Sequence, residues 1–104
     1  MADWTRLQRE IYQNKVDHGF NVTDVREEFC LLYGELGEAY AAYDKKKPDL
    51  GEELADVAIY LLGLSEILEI DLESEILRKM EINRKRRYEI VDGVRKRLEP
   101  GENE

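Results

Sequence analysis

Glu53-Leu54-Ala55-Asp56-Val57-Ala58-Ile59-Tyr60-Leu61-Leu62-Gly63-Leu64-Ser65 follows Pro48 closely and contains only two charged residues, both at its start. Leu54, Val57, Ala58, Leu61, Leu62, Leu64, Ser65 and Leu68 keep helical spacing. Ala55, Ile59 and Tyr60 fill the rest of the circumference, so this helix is apolar nearly all round and belongs at the centre of an assembly, not on its surface. Asp49 can cap it, with Glu52 three residues on to complete a capping box.

Three further helices surround that element in the sequence. The first runs from Trp4 to about His18, with Asp3 as N-cap, a stripe of Trp4, Leu7, Ile11 and Lys15 or Val16, and Gly19 as a stop. The second starts near Thr23, read as its cap, and carries Glu27 and Glu28 where acidic side chains suit the helix dipole. Its apolar residues are Phe29, Leu32, Leu36, Ala39, Tyr40 and Tyr43, and it ends at Asp44-Lys45-Lys46-Lys47-Pro48. The fourth starts near Asp71, with Leu72, Ile76, Leu77 and Met80 facing inward and basic residues in its last turns.

After Arg87 the pattern changes. Tyr88 to Val91 and Val94 to Leu98 read as two short strands around Asp92-Gly93, a pair that favours the type I′ turn; a frayed helical extension is the alternative. The expected fold class is all-α, a four-helix bundle with a short C-terminal β-hairpin, in one domain over residues 1–98 and a disordered tail over 99–104.

The 104 residues carry 24 acidic and 16 basic side chains, a net charge of −8, which argues against nucleic acid as a partner. No run reaches the roughly 20 apolar residues that span a bilayer, and no N-terminal stretch reads as a signal peptide. A soluble, cytoplasmic protein is expected. The lone Cys30 lies in Phe29-Cys30-Leu31-Leu32 and reads as a small core residue.

The chemistry lies in two acidic pairs. Glu35 and Glu38 share one face of the second helix, and Glu53 and Asp56 share one face of the third. The short connection predicts antiparallel packing, which lets the pairs converge. In so acidic a chain such spacings arise readily by chance. Their apolar flanks are the distinguishing feature, because carboxylates near a helical core are costly unless paired or metal-bound. Hard oxygen donors suit Mg²⁺, with Mn²⁺ or Ca²⁺ as substitutes. Gly34 and Gly37, poor residues inside a helix, suggest close approach of a neighbouring backbone or a ligand.

Glu35-Leu-Gly-Glu38, a spacer, and Glu53-Leu-Ala-Asp56-Val resemble the MazG-like, all-α nucleoside triphosphate pyrophosphohydrolases, whose signature is E-E-x-x-E followed by E-x-x-D. The likeness continues through Ile59-Tyr60-Leu61-Leu62, Asp71-Leu72-Glu73, Lys79-Met-Glu-Ile-Asn83 and Arg86-Arg87, covering about Trp4 to Val94. It implies cleavage of a nucleoside triphosphate between the α and β phosphates, with Glu35, Glu38, Glu53 and Asp56 as the catalytic, Mg²⁺- or Mn²⁺-binding set. It implies phosphate-chain binding by Lys79, Asn83, Arg86, Arg87 and Tyr60. Trp4, His18, Phe20, Phe29 and Tyr33 are candidates to contact base and sugar between the first two helices, although aromatics at helical spacing are more often core. The chain departs from the signature at Gly34, which stands in place of its first glutamate. Family members form homodimers or tetramers made of two dimers, and a homodimer at least is expected here. A phosphoribosyl-ATP pyrophosphohydrolase remains open, as does a non-catalytic helical binding protein that docks through Lys45 to Lys47 and the basic helix.

Overall fold

In the computed structural model, residues 3–98 are described, and they form four helices and a hairpin: α1 Trp4–Asp17, α2 Val25–Asp44, α3 Leu50–Ile67, α4 Leu72–Lys85, β1 Arg87–Val91 and β2 Val94–Leu98. The tail expected over 99–104 lies outside the described residues. The chain divides into two compact units, one ending at Leu72 and the other starting at Glu73.

In the first unit α3 is central and packs against both α2 and α1. Its buried residues are Leu62, Gly63, Leu64 and Ser65, and on α2 Ala39 and Ala42 are buried with Glu28. Gly63 has a specific reason to be glycine. A Cβ there would lie 3.2 Å from Ile11 Cγ2 and 3.4 Å from Lys15 Cδ, so its absence lets α1 come down onto α3. Much of the remaining apolar surface of α2 and α3 stays exposed, including Leu36, Tyr40, Leu54 and Ile59.

Caps account for the helix ends. Asp3 accepts from the Arg6 N–H at 3.0 Å. The cap of α2 is Asp24, not Thr23: Asp24 accepts from the Glu27 N–H at 3.1 Å, because Asn21 Oδ1 takes the Asp24 N–H and shifts the start of the helix by one residue. Asp49 occupies the cap position of α3 but makes no side-chain cap bond, so the expected capping box does not form. Cys30 is exposed and not a core residue, since it lies on the side of α2 turned away from α3 and α1.

In the second unit α4 carries Glu75–Arg78 and Glu81–Arg84 ion pairs on its surface. β1 and β2 pair antiparallel, with Val91 opposite Val94. Asp92 and Gly93 both have positive φ, 51° and 79°, as a type I′ turn requires, so the hairpin and not the helical extension is formed. Among the described residues no helix is long and apolar enough to cross a membrane.

Candidate metal centre and adjoining cleft

The turn between α2 and α3 brings the two acidic pairs to the same level of the hairpin. One carboxylate oxygen from each of Glu35, Glu38 and Glu53 lies within 4.8 Å of the others. Glu35 and Glu53 are half-buried, whereas Glu38 and Asp56 are exposed. Burial holds the Glu35 carboxyl above the usual carboxylate range, and the neighbouring Glu38, Asp56 and Glu53 push it the same way. Glu53 is raised as well, first by loss of solvent and then by Asp49, Glu38 and Asp56, with Lys47 opposing. Asp56 therefore belongs electrostatically to the cluster, although its oxygens are not among the three that converge.

Among the described residues, Glu35 Oε2, Glu53 Oε2 and Asp49 Oδ1 are buried without a hydrogen-bond partner. Buried polar atoms normally find a partner, and here two of the orphans belong to converging carboxylates. Hard oxygens converging at this distance and short of a positive partner fit a small divalent cation.

Tyr60, one turn after Asp56, joins the cluster to a neighbouring cleft. Burial raises its phenol above the ordinary tyrosine value, and Glu35, Glu28, Asp56 and Glu38 add to the rise. The cleft has a volume of about 300 Å³, and its walls include Leu7, Ile11 and Lys15 of α1, Ile59 and Tyr60 of α3, and Phe20 of the α1–α2 connection. It thus lies between the first and third helices. Phe20, from the connection between the first two helices, stands at its edge.

The expected site residues are distributed unevenly. Of the aromatic candidates, Phe20 lines the cleft and His18 stacks on it with ring centroids 5.6 Å apart. His18 also closes α1 as its C-cap, and its Nδ1 is 2.8 Å from the Asn14 carbonyl oxygen. Trp4, Phe29 and Tyr33 are exposed and are not cleft residues. No heavy atom comes within 4 Å of a Cβ built at Gly34 or Gly37, so neither marks a close approach of this chain's own backbone. Lys79 and Asn83, four apart on α4, fall in the second unit with Arg86, just beyond the helix, and Arg87, the first residue of β1.

Two residues of the first unit escaped sequence reasoning. Glu28 is 1% exposed and forms an ion pair with Lys15, while Asn21 Nδ2 donates to its other oxygen at 3.1 Å. Read as a helix-dipole residue, it gave no sign of this role; the available signal was Lys15, a cation within the apolar stripe of α1. Gln8 lies on the same stripe and is 3% exposed.

The first unit is thus an all-α arrangement in which a central apolar helix is flanked by two others and carries part of a carboxylate cluster. A MazG-like pyrophosphohydrolase of cyanophage S-2L, solved with dGDP and three catalytic Mn²⁺ ions per active site, superposes with a TM-score of 0.73 at 28% identity, over 95% of this chain and all of that one. Human dCTP pyrophosphatase 1 is 45% identical over 75 residues, which take in 59% of this chain. The chain spans 44% of that relative's length. No protein-family model matches. In sequence and in fold the chain is thus similar to nucleotide pyrophosphohydrolases of the MazG-like type.

Proposed function

We propose that this protein is a Mg²⁺-dependent pyrophosphohydrolase that cleaves a ribo- or deoxyribonucleoside triphosphate between the α and β phosphates, giving the monophosphate and pyrophosphate. The observation that carries the reading is the convergence of Glu35, Glu38 and Glu53 with buried, unpartnered oxygens on two of them. The relatives supply the substrate class: one is named for dCTP and the other was solved with dGDP and Mn²⁺.

Glu35, Glu38, Glu53 and Asp56 would hold the metal, with Mn²⁺ able to substitute. When bound, the metal supplies charge to polarise the phosphate oxygens and to favour attack by hydroxide. A carboxylate of this set that the metal does not fully engage would accept the proton of the attacking water. Lys79, Asn83, Arg86 and Arg87 are assigned to the phosphate chain, where their donors and charges offset the charge that gathers on the leaving pyrophosphate. The nucleoside is assigned to the α1–α3 cleft, with Phe20 offering a stacking face and Tyr60 the wall nearest the carboxylates.

The whole of residues 1–98 is proposed to act as one domain in the cytoplasm, in nucleotide-pool control or house-cleaning. The exposed Leu36, Tyr40 and Leu54 support a homodimer, or a tetramer of two dimers, that covers them.

Glu53→Gln tests the reading. It keeps the shape of the side chain and removes its charge, so turnover should be abolished while the helical circular-dichroism spectrum stays that of the wild type. Wild-type turnover in the variant would remove the carboxylate cluster as the active centre.

A further inference from the structure

The pairing of Lys15 with Glu28 has no part in the chemistry above, yet its setting is costly. Lys15 lies at the C-terminal end of α1's apolar stripe with its side chain 12% exposed, and Glu28 is 1% exposed. A buried ion pair is weak evidence of a stability role, because well-packed apolar residues often serve as well or better. The pair is nevertheless held from several directions. The Lys15 ammonium donates to Glu28 Oε1, and Asn21 Nδ2 takes Glu28 Oε2. Asn21 is itself fixed to the start of α2, accepting from the Asp24 N–H at 2.9 Å. The Lys15 stem passes beside Gly63, where no side chain displaces it. So held, the Lys15 ammonium stands over the Tyr60 ring, 5.1 Å from its centroid.

We propose that Lys15, clamped by Glu28 and Asn21, is a positioning residue for Tyr60. It fixes the ring as the wall shared by the α1–α3 cleft and the carboxylate cluster, and so sets where a nucleoside in the cleft stands relative to the acidic residues. Lys15 and Tyr60 both line that cleft. Tyr60 is on the face of α3 that carries Asp56 one turn earlier. Small displacements of a bound reactant carry large rate penalties, which gives the clamp its value. The proposal rests on the pyrophosphohydrolase reading for its kinetic consequence, but not for the clamp itself.

The test is a double-mutant cycle with an independent structural readout. Lys15→Met/Glu28→Gln removes the cation without leaving a bare buried anion, Lys15→Arg keeps a cation that can pair and stack, and Tyr60→Ala removes the ring. With Mg²⁺ and the best nucleotide, kcat of the paired variant should fall about tenfold or more with KM little changed, and Lys15→Arg should recover most of the loss. Added to Tyr60→Ala, the paired substitution should cost nothing further, because both act through one ring. Carbon-13 labelling of tyrosine should show the Tyr60 ring signal shifted and broadened in the paired variant and restored in Lys15→Arg. Independent, multiplying losses would overturn the proposal, and so would an unchanged Tyr60 signal. If the wild type cleaves no nucleotide, the functional reading falls, while the tyrosine spectra still decide the clamp. If the paired variant does not fold, Asn21→Ala, which loosens Glu28 and keeps both charges, takes its place with the same outcomes.

Discussion

The Gln8 Nε2 amide donates to the Ile70 carbonyl oxygen at 2.6 Å, tying the first helix to the turn that ends the third. The same amide nitrogen donates to Glu66 Oε1 at 3.0 Å, and Gln8 Oε1 accepts from the Leu72 N–H at 3.4 Å. One buried side chain thus satisfies three groups where the chain leaves α3. Gln8→Leu keeps the volume and strands those partners. A loss of about 1–3 kcal/mol is expected, since each unsatisfied buried group carries its full desolvation cost. Thermal unfolding would show it as a drop of about 4–8 °C per kcal/mol for a chain of this size, with the helical spectrum below the transition unchanged.

The caps of α2 and α3 should respond in opposite ways. Asp24 makes a side-chain cap bond and Asp49 makes none. Asp24→Ala should destabilise by about 0.5–2 kcal/mol, the usual worth of a bonded N-cap. Asp49→Asn should be neutral or stabilising in metal-free protein, because Asp49 adds to the charge that holds Glu53 above its ordinary range. Chemical denaturation of the two variants beside the wild type would measure both.

The acidic cluster also sets a pH dependence. In the folded protein Glu35 and Glu53 titrate above the ordinary glutamate range, through loss of solvent and the crowding of neighbouring carboxylates. Over the range between the unfolded and folded values, the folded chain holds more protons than the unfolded one, so stability falls as pH rises. Metal-free protein should therefore melt at a higher temperature just above pH 4.5 than at neutral pH, as far as these two groups govern it. Mg²⁺ or Mn²⁺ should raise the neutral-pH melting temperature and flatten the slope, because binding to the folded state alone stabilises it. Scanning calorimetry across pH, with and without the ion, would check the sign; a metal-free slope of opposite sign at both Glu35→Gln and wild type would count against like-charge crowding as its cause.

The parts of this molecule that could be read from sequence were those set by short-range pattern. The helices, the central position of α3 and the Asp92-Gly93 turn follow from spacing and turn chemistry, and the short connection between α2 and α3 brings Glu35 and Glu38 together with Glu53. Placements that depend on how α1 meets its neighbours were not legible. Gly63 stands in an apolar run that does not set it apart, yet a side chain there would crowd Ile11 and Lys15 of α1. Glu28 looked like a surface carboxylate because its partner Lys15 is 13 residues away on another helix. Thr23 and Asp24 are both good caps, and it is Asp24 whose carboxylate accepts from the Glu27 N–H. Cys30 sits in an apolar tetrapeptide, yet its own side chain is exposed.

The reaction itself is tested most directly by the products. Purified protein with Mg²⁺ is incubated with a panel of deoxyribo- and ribonucleoside triphosphates and phosphoribosyl-ATP, and the products are separated and identified. The account predicts the nucleoside monophosphate and pyrophosphate in equal amounts from at least one nucleoside triphosphate, with none formed when the metal is chelated. Orthophosphate and a nucleoside diphosphate as the products, or no metal-dependent cleavage of any member of the panel, would contradict it.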